Sequence, residues 1–146
     1  MKNTNSIIAT IANIQLNANK LIINELKKHN LDGLAPSHGA ILVNLYKNEN
    51  GIAMKKLSVS INKDKSTLTA LINKLVKMDL VEKVKDKNDS RSTLIKLTNK
   101  GLEIKPIILN EISSKLISKT YEGFSQKEKE TLMDLLTKVK NNFLEN

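Results

Sequence analysis

The chain has 146 residues, about the size of one domain, and its 24 Lys and Arg against 15 Asp and Glu leave a net charge of +9 that favours a polyanionic partner, nucleic acid or an anionic membrane surface. Without cysteine it has no disulfide, thiolate nucleophile, Cys-ligated zinc or cysteine redox sensor, while 40% hydrophobic beside 27% charged residues fits a folded core rather than disorder. No stretch approaches the roughly 20 apolar residues of a membrane-spanning helix, and 3% aromatics with no tryptophan weigh against base stacking, which leaves duplex DNA as the favoured polyanion.

In chain order, the first predicted element is a long helix. Ile7, Ile11, Ile14, Ala18 and Leu21 recur at alternating four and three spacing, and Ile8, Ile22 and Leu26 widen the stripe. A lone helix cannot bury so broad a face, so its partner is the rest of this chain or a second copy. Asn13 interrupts the apolar run that follows Lys2 and no cleavage site succeeds it, so the segment reads as helix rather than leader and a cytoplasmic protein is expected. His29 to Leu34, with Asn30 and Gly33, ends the helix. A second helix is predicted from Pro36, whose fixed φ suits a first helical position, with Ile41, Leu42 and Leu45 facing inward and a stop by Asn50-Gly51. A third spans about Met54 to Ile61, with Leu57 and Ile61 as its core contacts. Asn62-Lys63 forms the next turn, since asparagine tolerates left-handed backbone.

Asp64 is the predicted N-cap of a fourth helix, Lys65 to Met78, accepting from the backbone N–H of Ser66 or Thr67. That helix buries Leu68, Leu71, Ile72, Leu75 and Val76. At roughly 100° per residue its opposite face carries Ser66, Ala70, Asn73 and Lys77, flanked by Thr67 and Lys74: small, polar, basic and free of acids. Val81 to Lys85 reads as a strand, Asp86 to Asp89 as a turn, and Thr93 to Leu97 as a second strand with Thr93, Ile95 and Leu97 on one side. Thr98 or Asn99 caps a fifth helix carrying Ile104, Ile108, Ile112 and Leu116, in which Pro106 implies a kink or a late start. The last helix opens on the capping-box pair Ser125 and Glu128 and shows Leu132, Leu135, Leu136, Val139 and Phe143 on one face.

Ser37-His38 could pass for half of a nucleophile pair, but there is no Gly-x-Ser-x-Gly, no HExxH and no glycine-rich phosphate loop, and only five glycines in all. No enzyme activity, catalytic residue, metal site or cofactor is expected. His29 reads as a helix-end residue favourable to the dipole, and His38 as a helix-start residue facing solvent or a crevice. Three short helices followed at once by a hairpin make a winged helix-turn-helix within a mainly α fold. A DNA major groove about 12 Å wide admits one helix, and an exposed Ser, Thr, Asn and Lys face offers phosphate binding and base-edge hydrogen bonds. Lys83, Lys85, Lys87 and Arg91 are expected at the hairpin tip, within reach of the minor groove or its phosphates. Any one of these lysines alone is explained by an ordinary solvated surface; their joint placement favours DNA.

Taken in order, the segments resemble the MarR (multiple antibiotic resistance regulator) type of bacterial transcription factor over nearly the whole chain. Leu34 with Ile41-Leu42 looks like the family's Leu-Thr opening and Val-Leu core of the second helix, and Leu57-Ser58 to Ile61 like its Leu-Ala-x-x-Leu third helix. Asp64 through Thr69 is similar to the start of its recognition helix, Leu75 through Leu80-Val81 to the segment entering the wing, Asp89-Ser90-Arg91 to its Asp-Arg-Arg, and Leu97 through Gly101 to its Leu-Thr-x-x-Gly exit.

The resemblance implies a single domain over 1–146, with a winged helix-turn-helix lobe at 34–99 flanked by dimerisation helices at 1–30 and 100–146. It implies a homodimer reading a pseudo-palindromic operator in duplex DNA. Lys65, Ser66, Thr67, Thr69, Asn73 and Lys74 would lie in or beside the major groove, and Lys87, Asp89 and Arg91 at the wing, with Arg91 in the minor groove and Asp89 orienting it. Ser90 stands where the family has its first wing arginine, and Ala35 and Ala53 where capping hydroxyls are usual. The same resemblance implies a repressor released by a small aromatic or lipophilic effector, with His38 and Tyr46 as crevice residues, core packing being the other reading of Tyr46. A non-specific DNA-coating protein and a helical protein-interaction module remain the alternatives.

Overall fold

A computed structural model describes residues 1–144. Helix α1 (Ile7–Lys28) follows a 3-10 turn at Thr4–Ser6 and ends where expected, with Asn30 at φ 61° and Gly33 at φ 89° turning the chain. Helices α2 (Pro36–Tyr46), α3 (Met54–Ile61) and α4 (Lys65–Lys77) come next, then a hairpin of strands β2 (Val81–Lys85) and β3 (Thr93–Leu97). One strand escaped the sequence: β1 (Ile52–Ala53), too short for alternation to show, pairs antiparallel with β3 through Ile52↔Ile95 and Ala53↔Leu94, giving the sheet order β1-β3-β2. This pairing anchors the start of α3, whose N-cap Ala53 offers no side-chain bond.

The core forms where the inward faces of α2, α3, α4 and the hairpin meet. Ile41, Leu42, Leu45, Leu57, Ile72, Leu75, Leu80 and Ile95 are all fully buried, and Leu71 and Ile61 pack partly buried against them. Val76 departs from expectation: it is 40% exposed, because one step of about 100° beyond Leu75 carries it out of the buried arc.

The predicted fifth helix is broken into pieces. Helix α5 (Asn99–Glu103) stops, Pro106 follows, a π-helical turn spans Ile107–Ile112, and α6 (Ser113–Thr120) resumes. Pro106 lacks the N–H that would bond the carbonyl four residues earlier and its ring crowds that turn, so regular α geometry fails there. The apolar spacing survives the interruption, with Ile108 and Ile112 buried.

Helix α1 is pinned to α6 by charge. The buried carboxylate of Glu25 accepts from Lys115 and pairs with Lys28 at 3.3 Å, and the Lys115 hydrogen bond is the main influence holding it ionised below the usual glutamate range. His29, at the C-cap, donates from Nδ1 to the Glu25 carbonyl at 2.8 Å and from Nε2 to the Glu111 carboxylate. These acceptors, the Glu25 carbonyl first, raise its pKa.

Helix α7 (Gln126–Leu144) carries the reciprocal cap read from its sequence: the Ser125 N–H donates to Glu128 at 2.9 Å and the Glu128 N–H to Ser125 Oγ at 3.1 Å. None of its described residues is buried. Leu135 and Phe143 stand 56% and 69% exposed, as do Ile7, Ile8, Ile14 and Leu16 along α1 at comparable levels. No helix among the described residues is long and apolar enough to cross a membrane.

Candidate nucleic-acid interface

The start of α4 is built by its own sequence. Asn62 takes the left-handed conformation (φ 54°), the Ser58 hydroxyl donates to the Lys63 carbonyl, and Asp64 Oδ1 accepts from the Thr67 N–H at 2.7 Å. That cap holds the Asp64 carboxyl below its ordinary pKa. The other end is clamped from the far side of the hairpin. The Thr98 hydroxyl donates to the Asp79 carbonyl at 2.6 Å, the Lys100 ammonium donates to the Met78 carbonyl at 3.0 Å, and the Thr98 N–H donates to the Leu80 carbonyl at 3.1 Å. Helix and hairpin are therefore oriented as one piece.

On the face away from the core, Ser66, Thr67, Ala70, Asn73, Lys74 and Lys77 are all exposed, as the spacing predicts. Beside them runs a groove of about 640 Å³ between α3, α4 and the hairpin, lined among others by Lys55, Lys65, Thr69, Lys83, Asp89 and Arg91. The Thr69 hydroxyl donates back to the Lys65 carbonyl at 2.7 Å. Lys74 sits on the opposite flank of α4, its Nζ 3.1 Å from where a Cβ at Gly33 would stand. Lys87 is exposed at the hairpin tip, outside the groove lining.

Asp89 acts on Arg91 through the backbone: its Oδ1 accepts from the Arg91 N–H at 3.0 Å, and no ion pair joins the two side chains among the described residues. Lys83, expected at the tip, lies mid-strand and donates to Asn73 Oδ1 at 2.7 Å. None of the ion pairs among the described residues involves α3, α4 or the hairpin. Among the described residues, the cations of this face thus form no ion pair with a carboxylate.

His38 and Tyr46 do not come together. His38 is buried rather than facing solvent, and its Nδ1 accepts the Ala35 N–H at 2.8 Å, the bond that the third helical residue of a capping box makes, while Ala35 has no hydroxyl for the reciprocal one. Burial first, and then the charge of Lys74, push its pKa down. Tyr46, eight residues on and about 12 Å along the helix, is a core residue whose hydroxyl donates to the Gly101 carbonyl at 2.8 Å, and burial pushes its phenol well above its ordinary value. Neither lines the groove just described or the hollow of about 670 Å³ at the corner of α6 and α7.

Two groove residues were missed as such. Lys83 was findable: counting by two from buried Val81 puts it on the core side of the hairpin, toward α4. Lys55 carries no comparable signal, since only the packing of α3 on α4 brings it to the groove.

Three helices, a strapped hairpin and an unpaired cationic face define a winged helix-turn-helix protein. Comparison with known proteins narrows this. Residues 21–108, more than half of the chain, match the family described as transcriptional regulator SarA/Rot, and the chain belongs to that family of transcriptional regulators. Over 121 residues it is 36% identical to the HTH-type transcriptional regulator SarZ of Staphylococcus haemolyticus, covering 81% of this chain and 76% of that one. Among solved structures it is similar to a MarR protein from Peptoclostridium difficile, with TM-score 0.84 and 27% identity over 98% of this chain and 92% of that one. A mutant MarR from E. coli complexed with operator DNA shares the fold, with TM-score 0.80 and 22% identity over 94% of this chain and 99% of that one. The MarR architecture implied by the sequence motifs is the architecture observed.

Proposed function

We propose that this regulator is a homodimer that binds a pseudo-palindromic operator in duplex DNA and represses transcription there, in the bacterial cytoplasm. One observation carries the reading: Lys55, Lys65, Lys83 and Arg91, from α3, α4 and the hairpin, line one groove and form no ion pair among the described residues, while the carboxylates that do form ion pairs lie elsewhere. Ser66, Thr67 and Asn73 would meet base edges in the major groove. Lys65, Thr69 and Lys74 would hold its phosphates, and Lys87 and Arg91 would engage the minor groove, with Asp89 shaping the turn that presents Arg91.

In this reading 34–99 is the DNA-binding lobe, and 1–30 with 100–146 dimerise, residues 145 and 146 lying outside the described residues. The uncovered apolar faces of α1 and α7 support the second copy. Repression and release by a small aromatic or lipophilic effector draw on the family resemblance; His38 and Tyr46, both used in the lobe's own packing, add no support for the effector.

Footprinting on the promoter regions around the protein's own gene tests the reading. Two protected segments with centres about 10 bp apart, or a multiple of it, should persist in excess random duplex. Uniform coverage that random duplex removes would identify a DNA-coating protein instead, and no protection at low salt a protein-interaction module.

A further inference from the structure

An asparagine standing free in a major groove suits adenine, because its carbonyl accepts from N6 while its amide donates to N7. Asn73 does not stand free. Its Oδ1 accepts from the Lys83 ammonium at 2.7 Å, a bond that crosses from β2 to the exposed face of α4. The fold sets up this meeting. Lys83 lies opposite fully buried Ile95, so the two side chains leave the hairpin on the same side.

With one lone pair of Oδ1 taken by a cation that also stands beside the other, Asn73 presents chiefly its amide N–H groups, and Lys83 keeps two further donors. Lys83 forms no ion pair among the described residues, so its charge stays available. Together the two side chains offer donors and positive charge, where asparagine alone offers one donor edge and one acceptor. Guanine shows two acceptors, N7 and O6, on its major-groove edge; adenine pairs its N7 with an N6 donor, and cytosine shows a donor. Adenine and cytosine would each turn an amino group toward the ammonium.

We propose that Lys83 and Asn73 read DNA as one unit that selects guanine over adenine at one position of each half-site, Lys83 being the specificity-determining residue. The inference rests on the proposed function, since it needs α4 in the major groove. Its test is selection of duplexes from a pool randomised over the half-sites, run with the full chain, Asn73→Ala and Lys83→Met. Loss of preference in Asn73→Ala marks the position read. There the unaltered protein should favour guanine over adenine by about tenfold, and Lys83→Met should remove that preference or turn it toward adenine while enrichment elsewhere in the site stays.

Guanine preference that persists in Lys83→Met would overturn the proposal. So would adenine preference in the unaltered protein, an Asn73→Ala profile identical to it, or a Lys83→Met loss spread evenly over all positions, which would make Lys83 a phosphate contact. A pool from which the unaltered protein enriches no sequence would instead contradict the proposed function, and this inference with it.

Discussion

Gly101 is held between the hairpin and the end of α4 with no room for a side chain: a Cβ there would stand 2.1 Å from the Leu80 carbonyl oxygen. The obstacle is backbone and cannot rotate away, so Gly101→Ala should cost at least about 3 kcal/mol in urea unfolding. Gly39, inside α2, has no heavy atom within 4 Å of such a Cβ, and Gly39→Ala should add about 0.5–1 kcal/mol. Equal effects at the two positions would contradict the close approach. His29 gives a pH dependence. Its pKa is raised in the folded chain by the Glu25 carbonyl and then Glu111, so its contribution is complete below the ordinary value of 6.5 and is lost as pH rises through the folded value. Between about pH 6 and pH 8.5 the unaltered protein should lose more unfolding stability than Glu111→Gln, and identical slopes would show the pair to be inert. The sequence shows His29 as a helix end but not Glu111 as its partner, because 82 positions separate them and only the packing of α1 on the π-helical turn joins them. The burial of His38 is hidden for a related reason: the missing hydroxyl at Ala35 shows in the sequence, whereas an imidazole three residues on in the role of a capping-box glutamate does not.

Elements with one strong period are legible to within a residue, the fourth helix ending at Lys77 rather than at Met78. Helix α4 begins at Lys65 because Asp64 caps it, and the hairpin strands match their predicted limits because alternation bounded by an Asp-Lys-Asn-Asp turn leaves few other registers. The pieces that escaped are those in which periodicity carries no information: two-residue β1, and the π turn after Pro106, where apolar spacing continues while the hydrogen-bond pattern changes. Helices α1 and α7 show where amphipathic pattern and single-chain burial part company. Ile14 is 60% exposed and Phe143 69%, so these parts of the two apolar faces, unlike Leu26 at the end of α1, are left uncovered by the described residues of the chain. Ile14→Asp and Phe143→Asp should therefore leave the winged lobe folded while shifting sedimentation from dimer to monomer. A dimer unaffected by both changes would place the interface elsewhere.

For the whole molecule, the proposed dimer would relate two lobes by a two-fold axis and make the spacing of DNA half-sites a property of the protein. Inserting about 5 bp between half-sites, roughly half a turn, puts the second on the opposite side of the duplex. Affinity should fall close to that of an isolated half-site, and a site indifferent to the insertion would mean that the lobes bind independently. The +9 charge by itself favours attraction to any duplex, and in the proposed function the polar residues of α4 beside the cations of the groove convert attraction into choice. The decisive measurement of that choice is the ratio of affinities for an operator and for random duplex of equal length, titrated at one salt concentration. A preference of about 10³ or more for the operator is expected; equal affinity for the two duplexes would mean that the protein binds DNA by charge without choosing a sequence.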